Sequence, residues 1–198
     1  MKSDIVAIIP TLGDRPELQP LVSQLSREKI DSLIICRPEI KNLHIIWNQG
    51  ANTAISWGAK YIAIMNDDIK IPVGSLKSMK AAMEKQDFAC IGVDPHAGFG
   101  LPTKIEIKEV KGNVGVQMTM VTTWFFLLNA KYWQDIDEDY LWWYGVGDLF
   151  EKVVNQGGRL GQATGLGIIH VGSGTARNYL WTEDAKLQDA KTWQEKHK

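Results

Sequence analysis

The chain has 198 residues, enough for one domain with its own core and too few for two. With 44% hydrophobic and 23% charged residues it falls outside the disordered and low-complexity classes. A net charge of −1 argues against a dedicated nucleic-acid binder, which carries a basic excess for phosphate contacts.

Met1-Lys2-Ser3-Asp4 leads directly into the apolar run Ile5–Ile9. That run is too short for a secretory signal and reads as a strand buried on both faces. Pro16 and Glu17 open a helix through about Arg27, with Leu18, Leu21, Val22 and Leu25 on one stripe and Asp14 as its expected cap. Ser32–Cys36 and Leu43–Trp47 read as the next strands, then a helix over Ala51–Ala59 and a strand over Tyr61–Met65. After Pro72 a helix carries Leu76, Met79, Ala82 and Met83, and a strand over Phe88–Val93 closes the series. Such alternation implies parallel pairing through right-handed crossovers.

The second half changes character. Ile105–Val116 alternates around Gly112-Asn113, a hairpin signal. Thr122–Leu128 reads as a strand, and Asp148–Gln156 as a helix stopped by Gly157-Gly158. Gly165–His170 resembles a last buried strand, and the polar tail from Trp181, with Leu187, Ala190 and Trp193, a peripheral helix. No repeat or linker separates the halves. The expected fold is a single compact α/β domain, a mostly parallel twisted sheet with helices on both faces.

The two cysteines, Cys36 and Cys90, lie in strand-like apolar runs and are expected to be buried and reduced. No apolar run approaches the ~18 residues of a membrane span. A soluble, cytoplasmic protein is expected. Lys104, Lys108 and Lys111 read as decoration of a solvated face.

Open parallel sheets bind ligands beyond the carboxyl ends of their strands. Three polar turns qualify: Pro10-Thr11-Leu12-Gly13-Asp14-Arg15, Asn48-Gln49-Gly50-Ala51-Asn52 and Asn66-Asp67-Asp68. The last is the sharpest, because two adjacent carboxylates after an apolar strand repel unless a cation or a proton neutralises them. Hard oxygen ligands suit Mg²⁺ or Mn²⁺, which bridge carboxylates to phosphate oxygens. No Gly-x₄-Gly-Lys-Ser/Thr loop or complete dinucleotide fingerprint is present, so P-loop and Rossmann dehydrogenase chemistry are not expected.

On these residues the chain resembles the GT-A type glycosyltransferases, close to the family 2-like enzymes. Ile5–Thr11 is similar to their opening strand and base-binding turn, and Asn52 to Asp68 to their run into an Asp-x-Asp-type metal motif. Trp124 to Trp133, then Asp137–Tyr140 and Asp148-Leu149, resemble the acceptor-side segment, and Ile168–Thr175 the late strand whose His completes the metal site. The resemblance implies a donor half over about 1–95, an acceptor-side half over about 96–178 and a tail over 179–198. It implies a nucleotide-diphosphate sugar as donor, with Mn²⁺ or Mg²⁺ on the diphosphate held by Asp68 and His170. Pro10, Thr11, Leu12, Gly13, Asp14, Arg15, Asn48, Asn52, Asn66, Asp67 and Arg177 become donor-binding candidates. Asp148 becomes the candidate base for an unidentified acceptor hydroxyl.

Two departures stand out. Gly145-Val146-Gly147-Asp148 lacks the first two acids of the family's Glu-Asp-x-Asp, and Cys36-Arg37-Pro38-Glu39 replaces its acidic turn after the second strand. A non-catalytic nucleotide- or glycan-binding module on the same scaffold is therefore the alternative, and a sugar-nucleotidyltransferase a weaker one. Eight Trp are present, six of them at or after Trp124. Trp124 and Trp143, with Tyr144, are the expected acceptor-side aromatic face, with Trp142 alongside. Little length remains for an acceptor domain, so a partner or a homo-oligomer is expected to complete that side.

Overall fold

The computed structural model of the chain describes residues 3–13, 15–93, 104–112, 124–171 and 181–198. In chain order the elements are β1 (Ile5–Thr11), α1 (Leu18–Arg27), β2 (Asp31–Cys36), α2 (Leu43–Ser56), β3 (Tyr61–Met65), β4 (Ile69–Lys70), α3 (Ser75–Gln86) and β5 (Cys90–Val93). Then come β6 (Glu106–Val110), β7 (Phe125–Asn129), α4 (Gly145–Asn155), β8 (Leu160–Thr164), β9 (Ile169–His170) and α5 (Trp181–Lys196). A seven-stranded sheet has the order β2-β1-β3-β7-β5-β8-β6, and β4 pairs with β9 in a separate two-stranded ribbon. In the large sheet β1, β2, β3, β5 and β8 point one way and β6 and β7 the other. The mostly parallel α/β architecture expected from the alternation is the one observed.

The central strands read as continuous apolar runs because both faces are covered. On one face Ala7, Ile9, Ala63, Met65 and Leu127 pack with Leu21 and Leu25 of α1 and Leu76, Met79 and Met83 of α3. On the other, Ile8, Ile62, Ile64 and Leu128 pack with Trp47, Ala51 and Ala54 of α2 and Leu149, Phe150 and Val153 of α4. Neighbouring residues of each strand thus serve opposite cores, as the period of two requires.

Several sequence expectations are corrected. Leu43–Trp47 is the start of helix α2 and not a strand. The Asn42 side chain accepts from the amides of His44 and Ile45, capping the helix, and burial at Ile46, Trp47, Gly50, Ala51 and Ala54 follows the helical period. The expected buried strand over Gly165–His170 contracts to β9, with β8 taking the sheet position beside β5. The alternation from Ile105 yields the edge strand β6, antiparallel to β8; the turn at Asn113 lies outside the described residues. Helix α1 starts at Leu18 without a side-chain cap, and Asp14 lies outside the described residues. Cys90 is buried as expected, but Cys36, at the end of edge strand β2, is exposed.

The α2 start carries a buried titratable group. His44 is fully buried, and its Nδ1 lies 2.9 Å from the Tyr140 carbonyl, so Nδ1 holds the proton and donates. Its Nε2 has no hydrogen-bond partner among the described residues, and the ring fills the notch left by Gly145, where a Cβ would sit 2.5 Å from Cε1 and Nε2. Burial pushes the His44 pKa below its ordinary 6.5. The unfolded chain then binds more protons below that value, so this site destabilises the fold as pH falls. Denaturant titrations should show the stability difference between wild type and His44→Gln shrinking below pH 6.5, by up to ~1.4 kcal/mol per pH unit. A difference independent of pH would contradict the assignment.

Candidate functional site

Strand register assembles the site. Pairing of β1 with β3 sets Ile8 against Ile64, so three residues on Thr11 comes beside Asp67. The Thr11 hydroxyl donates to Asp67 Oδ2 at 2.5 Å and accepts from the Gly13 amide at 2.9 Å. Pairing of β3 with β7 sets Met65 against Phe125, and the Asn66 amide donates to the Trp124 carbonyl at 2.9 Å. The β4–β9 ribbon sets Ile69 against His170, and the Val171 amide donates to the Asp68 carbonyl at 2.9 Å. Residues more than 100 positions apart therefore meet at the carboxyl end of β3.

His170 Nε2 lies 3.0 Å from Asp68 Oδ1 and 3.5 Å from Asn66 Nδ2. Asp68 Oδ1 is buried with no hydrogen bond among the described residues, its contact being this approach to the imidazole. A buried carboxylate oxygen beside an imidazole nitrogen is a donor pair that a cation would satisfy. Trp124 stacks on the His170 ring with centroids 4.8 Å apart and planes 11° from parallel, which fixes the ring orientation. Burial pushes the Asp67 carboxyl up, opposed by the Thr11 hydrogen bond, and the Asp68 charge raises it further while Arg15 lowers it. Among the described residues no three His, Cys, Asp or Glu gather as a closed metal cage. The pair suits instead a cation that keeps water and phosphate oxygens in its shell.

These groups line one cavity with Pro10, Thr11, Leu12, Arg37, Pro38, Ile40, Leu43, Ile46, Trp47, Trp124, Trp142, Trp143 and Trp181. The cavity is polar around Asn66, Asp67, Asp68 and His170 and otherwise largely apolar, a common make-up for a ligand pocket. Trp142 and Trp181 meet edge to face with centroids 5.1 Å apart. Sequence reasoning left out the Arg37-Pro38 turn, Ile40, Leu43, Ile46, Trp47 and Trp181 as site residues. Arg37 follows a strand end, the same signal used for Thr11 and Asp68; Trp181 gave no local signal, since its role depends on where α5 docks.

The other expected positions divide. Pro10, Thr11, Leu12, Asn66, Asp67, Asp68, His170, Trp124 and Trp143 line the cavity. Gly13 sits beside it with φ of 87°, where glycine is favoured. Asp14 and Arg177 lie outside the described residues. Asn48 does not reach the cavity: it is buried in α2, donating to the Ile136 carbonyl at 2.8 Å and accepting from the Ile136 amide at 2.9 Å. Asn52, a turn further along, donates to Asp135. Both were placed at a strand end only because the start of α2 was read as a strand. Asp148 is committed elsewhere, its Oδ2 taking the Lys152 ammonium at 2.7 Å and the Asp137 amide at 3.1 Å. Tyr144 packs against Trp193 of α5, with ring centroids 5.7 Å apart, and is not a lining residue. Asn48→Ala should cost about 2–4 kcal/mol in denaturant stability, because two buried backbone groups lose partners. Ligand affinity, measured well below the variant's melting point, should stay at the wild-type value.

No family model matches the chain, and no curated protein matches it in sequence. Solved structures do match in fold. A protein from STIV aligns at TM-score 0.55 with 14% identity, over 83% of this chain and 82% of that one. A Drosophila β-1,4-galactosyltransferase 7 mutant, solved with manganese, UDP-galactose and xylobiose, aligns at TM-score 0.55 with 14% identity, over 91% and 79%. S. aureus TarS, residues 1–349 with UDP, aligns at TM-score 0.51 with 11% identity, over 80% of this chain and 57% of that one. The sheet order, the paired cores and these alignments together give the chain the GT-A fold of glycosyltransferases.

Proposed function

We propose that the chain is a metal-dependent glycosyltransferase acting on a nucleotide-diphosphate sugar and an acceptor hydroxyl. The observation that carries this reading is the buried Asp68 Oδ1, without a hydrogen bond among the described residues and set 3.0 Å from His170 Nε2 at the end of β3. Asp68 and His170 would hold the divalent ion, with Asn66 beside them. Imidazole in the set favours Mn²⁺ over Mg²⁺, which takes oxygen ligands almost exclusively. When bound, such an ion neutralises the charge that grows on a departing nucleotide diphosphate. The matching of folds to structures solved with UDP-galactose and manganese, and with UDP, supports the same ligand class.

This chain's own groups do the remaining work. The Thr11 hydroxyl donates to Asp67 Oδ2 and orients the carboxylate next to the metal pair. Trp124 keeps the His170 plane fixed against Asp68. The apolar side chains of Ile40, Leu43, Ile46 and Trp47 lower the local polarity of the lining, which strengthens charge–charge contacts in the pocket. One free cysteine exposed and one buried among the described residues fit a reducing, cytoplasmic setting. No helix of the described residues is long and apolar enough to cross a membrane.

A second reading, a binding module without turnover, is favoured by one observation. Asp148 is tied to Lys152 and the Asp137 amide, and the carboxylates lining the cavity are Asp67 and Asp68 alone among the described residues. Calorimetry with UDP separates these readings when paired with an assay of UDP-galactose hydrolysis. UDP binding should require Mn²⁺, and Asp68→Asn should weaken it by roughly 100-fold. Slow hydrolysis lost in the same variant supports the transferase, and metal-dependent binding with no hydrolysis supports the module. Binding indifferent to both Mn²⁺ and Asp68 would remove both readings.

A further inference from the structure

One stretch of the cavity wall is held from outside the cavity. Asp189 of α5 is fully buried, and its carboxylate accepts the amides of Leu141 at 2.7 Å, Trp142 at 2.9 Å and Trp143 at 2.6 Å. Three consecutive amides, in a segment with no helix or strand of its own, converge on one side chain. Two of those residues, Trp142 and Trp143, line the cavity, and so does Trp181 at the first position of α5. The Trp143 indole N–H also points to α5, at 3.4 Å from the Thr182 carbonyl.

Consecutive backbone amides in such a segment are otherwise a ready anion site. Here Asp189 has already consumed them and adds a buried negative charge behind the wall. Those three amides are therefore not available to a phosphate. The indoles of Trp142, Trp143 and Trp181 give the wall an apolar surface suited to a flat or ring-shaped group, with the Lys186 ammonium 5.9 Å from the Trp143 ring centroid.

We propose that Asp189 is the positioning residue of a neutral-ring subsite formed by Trp142, Trp143 and Trp181 on the cavity wall. The proposal rests on the glycosyltransferase reading for its division of the substrate, and it assigns this wall an uncharged sugar ring or base. Asp189 acts through the backbone it holds and touches no substrate.

The test uses the full chain labelled with 5-fluorotryptophan and followed by ¹⁹F NMR, together with amide exchange. In wild type the amides of Leu141, Trp142 and Trp143 should exchange about 100-fold or more slower than open loop amides. Xylobiose and uridine, the sugar and base arms, are titrated separately, and pyrophosphate with Mg²⁺ is the charged probe. At least one neutral probe should shift the Trp142, Trp143 and Trp181 resonances, and the responding arm names the ring. Pyrophosphate should shift Trp124, which stacks on His170. Asp189→Asn should weaken the neutral probe by about fivefold or more and leave the pyrophosphate response within about twofold. Unprotected amides, a wall that answers pyrophosphate or neither neutral probe, or a folded Asp189→Asn with wild-type affinity would overturn the proposal. Should that variant not fold, the wild-type exchange and titrations still decide. A Trp124 silent to Mg²⁺-pyrophosphate would count against the transferase reading and leave the Asp189 result standing.

Discussion

The register of β3 with its neighbours is the constraint on which the site depends. Because side chains alternate with a period of two, a one-residue slip would turn Ile62 and Ile64 into the core that holds Ala63 and Met65. The same slip would separate Thr11 from Asp67 and Asn66 from Trp124. Hydrophobic patterning on both faces therefore fixes the polar cluster at the strand end without any bond made for that purpose. The site is cheap to place and costly to move, since displacing it means exposing two cores.

Its charges are less self-sufficient. Asp68 Oδ1 is buried without a hydrogen bond, while Asp67 shares the Thr11 hydroxyl and feels Arg15. The Trp142–Trp143 wall is held differently, by α5. Asp189 takes three amides, Lys196 pairs with Asp137 and Asp139, and Trp193 lies between Tyr140 and Tyr144 while stacking on His197. Charged hydrogen bonds to a buried carboxylate contribute about 1.5–3 kcal/mol each. The exposed Lys196 pairs contribute little beside them. Part of the cavity lining is thus a product of the sheet and part of a docked helix.

That division explains what was legible in the sequence. Strand ends announce themselves: apolar runs stop at Thr11 and Asn66, and both segments line the cavity. Helix α2 did not, because Leu43-His44-Ile45-Ile46-Trp47 is apolar apart from His44 and has no clear period until Gly50, Ala51 and Ala54 are counted with it. Misreading it moved Asn48 and Asn52 to a strand end they never reach. Asp189 gave no signal at all. On a polar helix it reads as one more solvated carboxylate, and only the docking of α5 shows that its partners are backbone amides far away in sequence. Trp193, unexplained on that same polar tail, proves to be part of the fastening.

The imidazole in the Gly145 notch has a consequence for how this site can change. A side chain at position 145 would collide with the His44 ring at 2.5 Å and with Ile136 Cγ2 at 2.6 Å. An acid cannot be introduced there until His44 has become smaller, yet shrinking His44 first opens a void in the core and strips the Tyr140 carbonyl of its donor. The two positions are epistatic, with a stability valley on either route between them. The glycine at the head of α4 is thereby held by a residue a hundred positions earlier, with Ile136 as a second barrier.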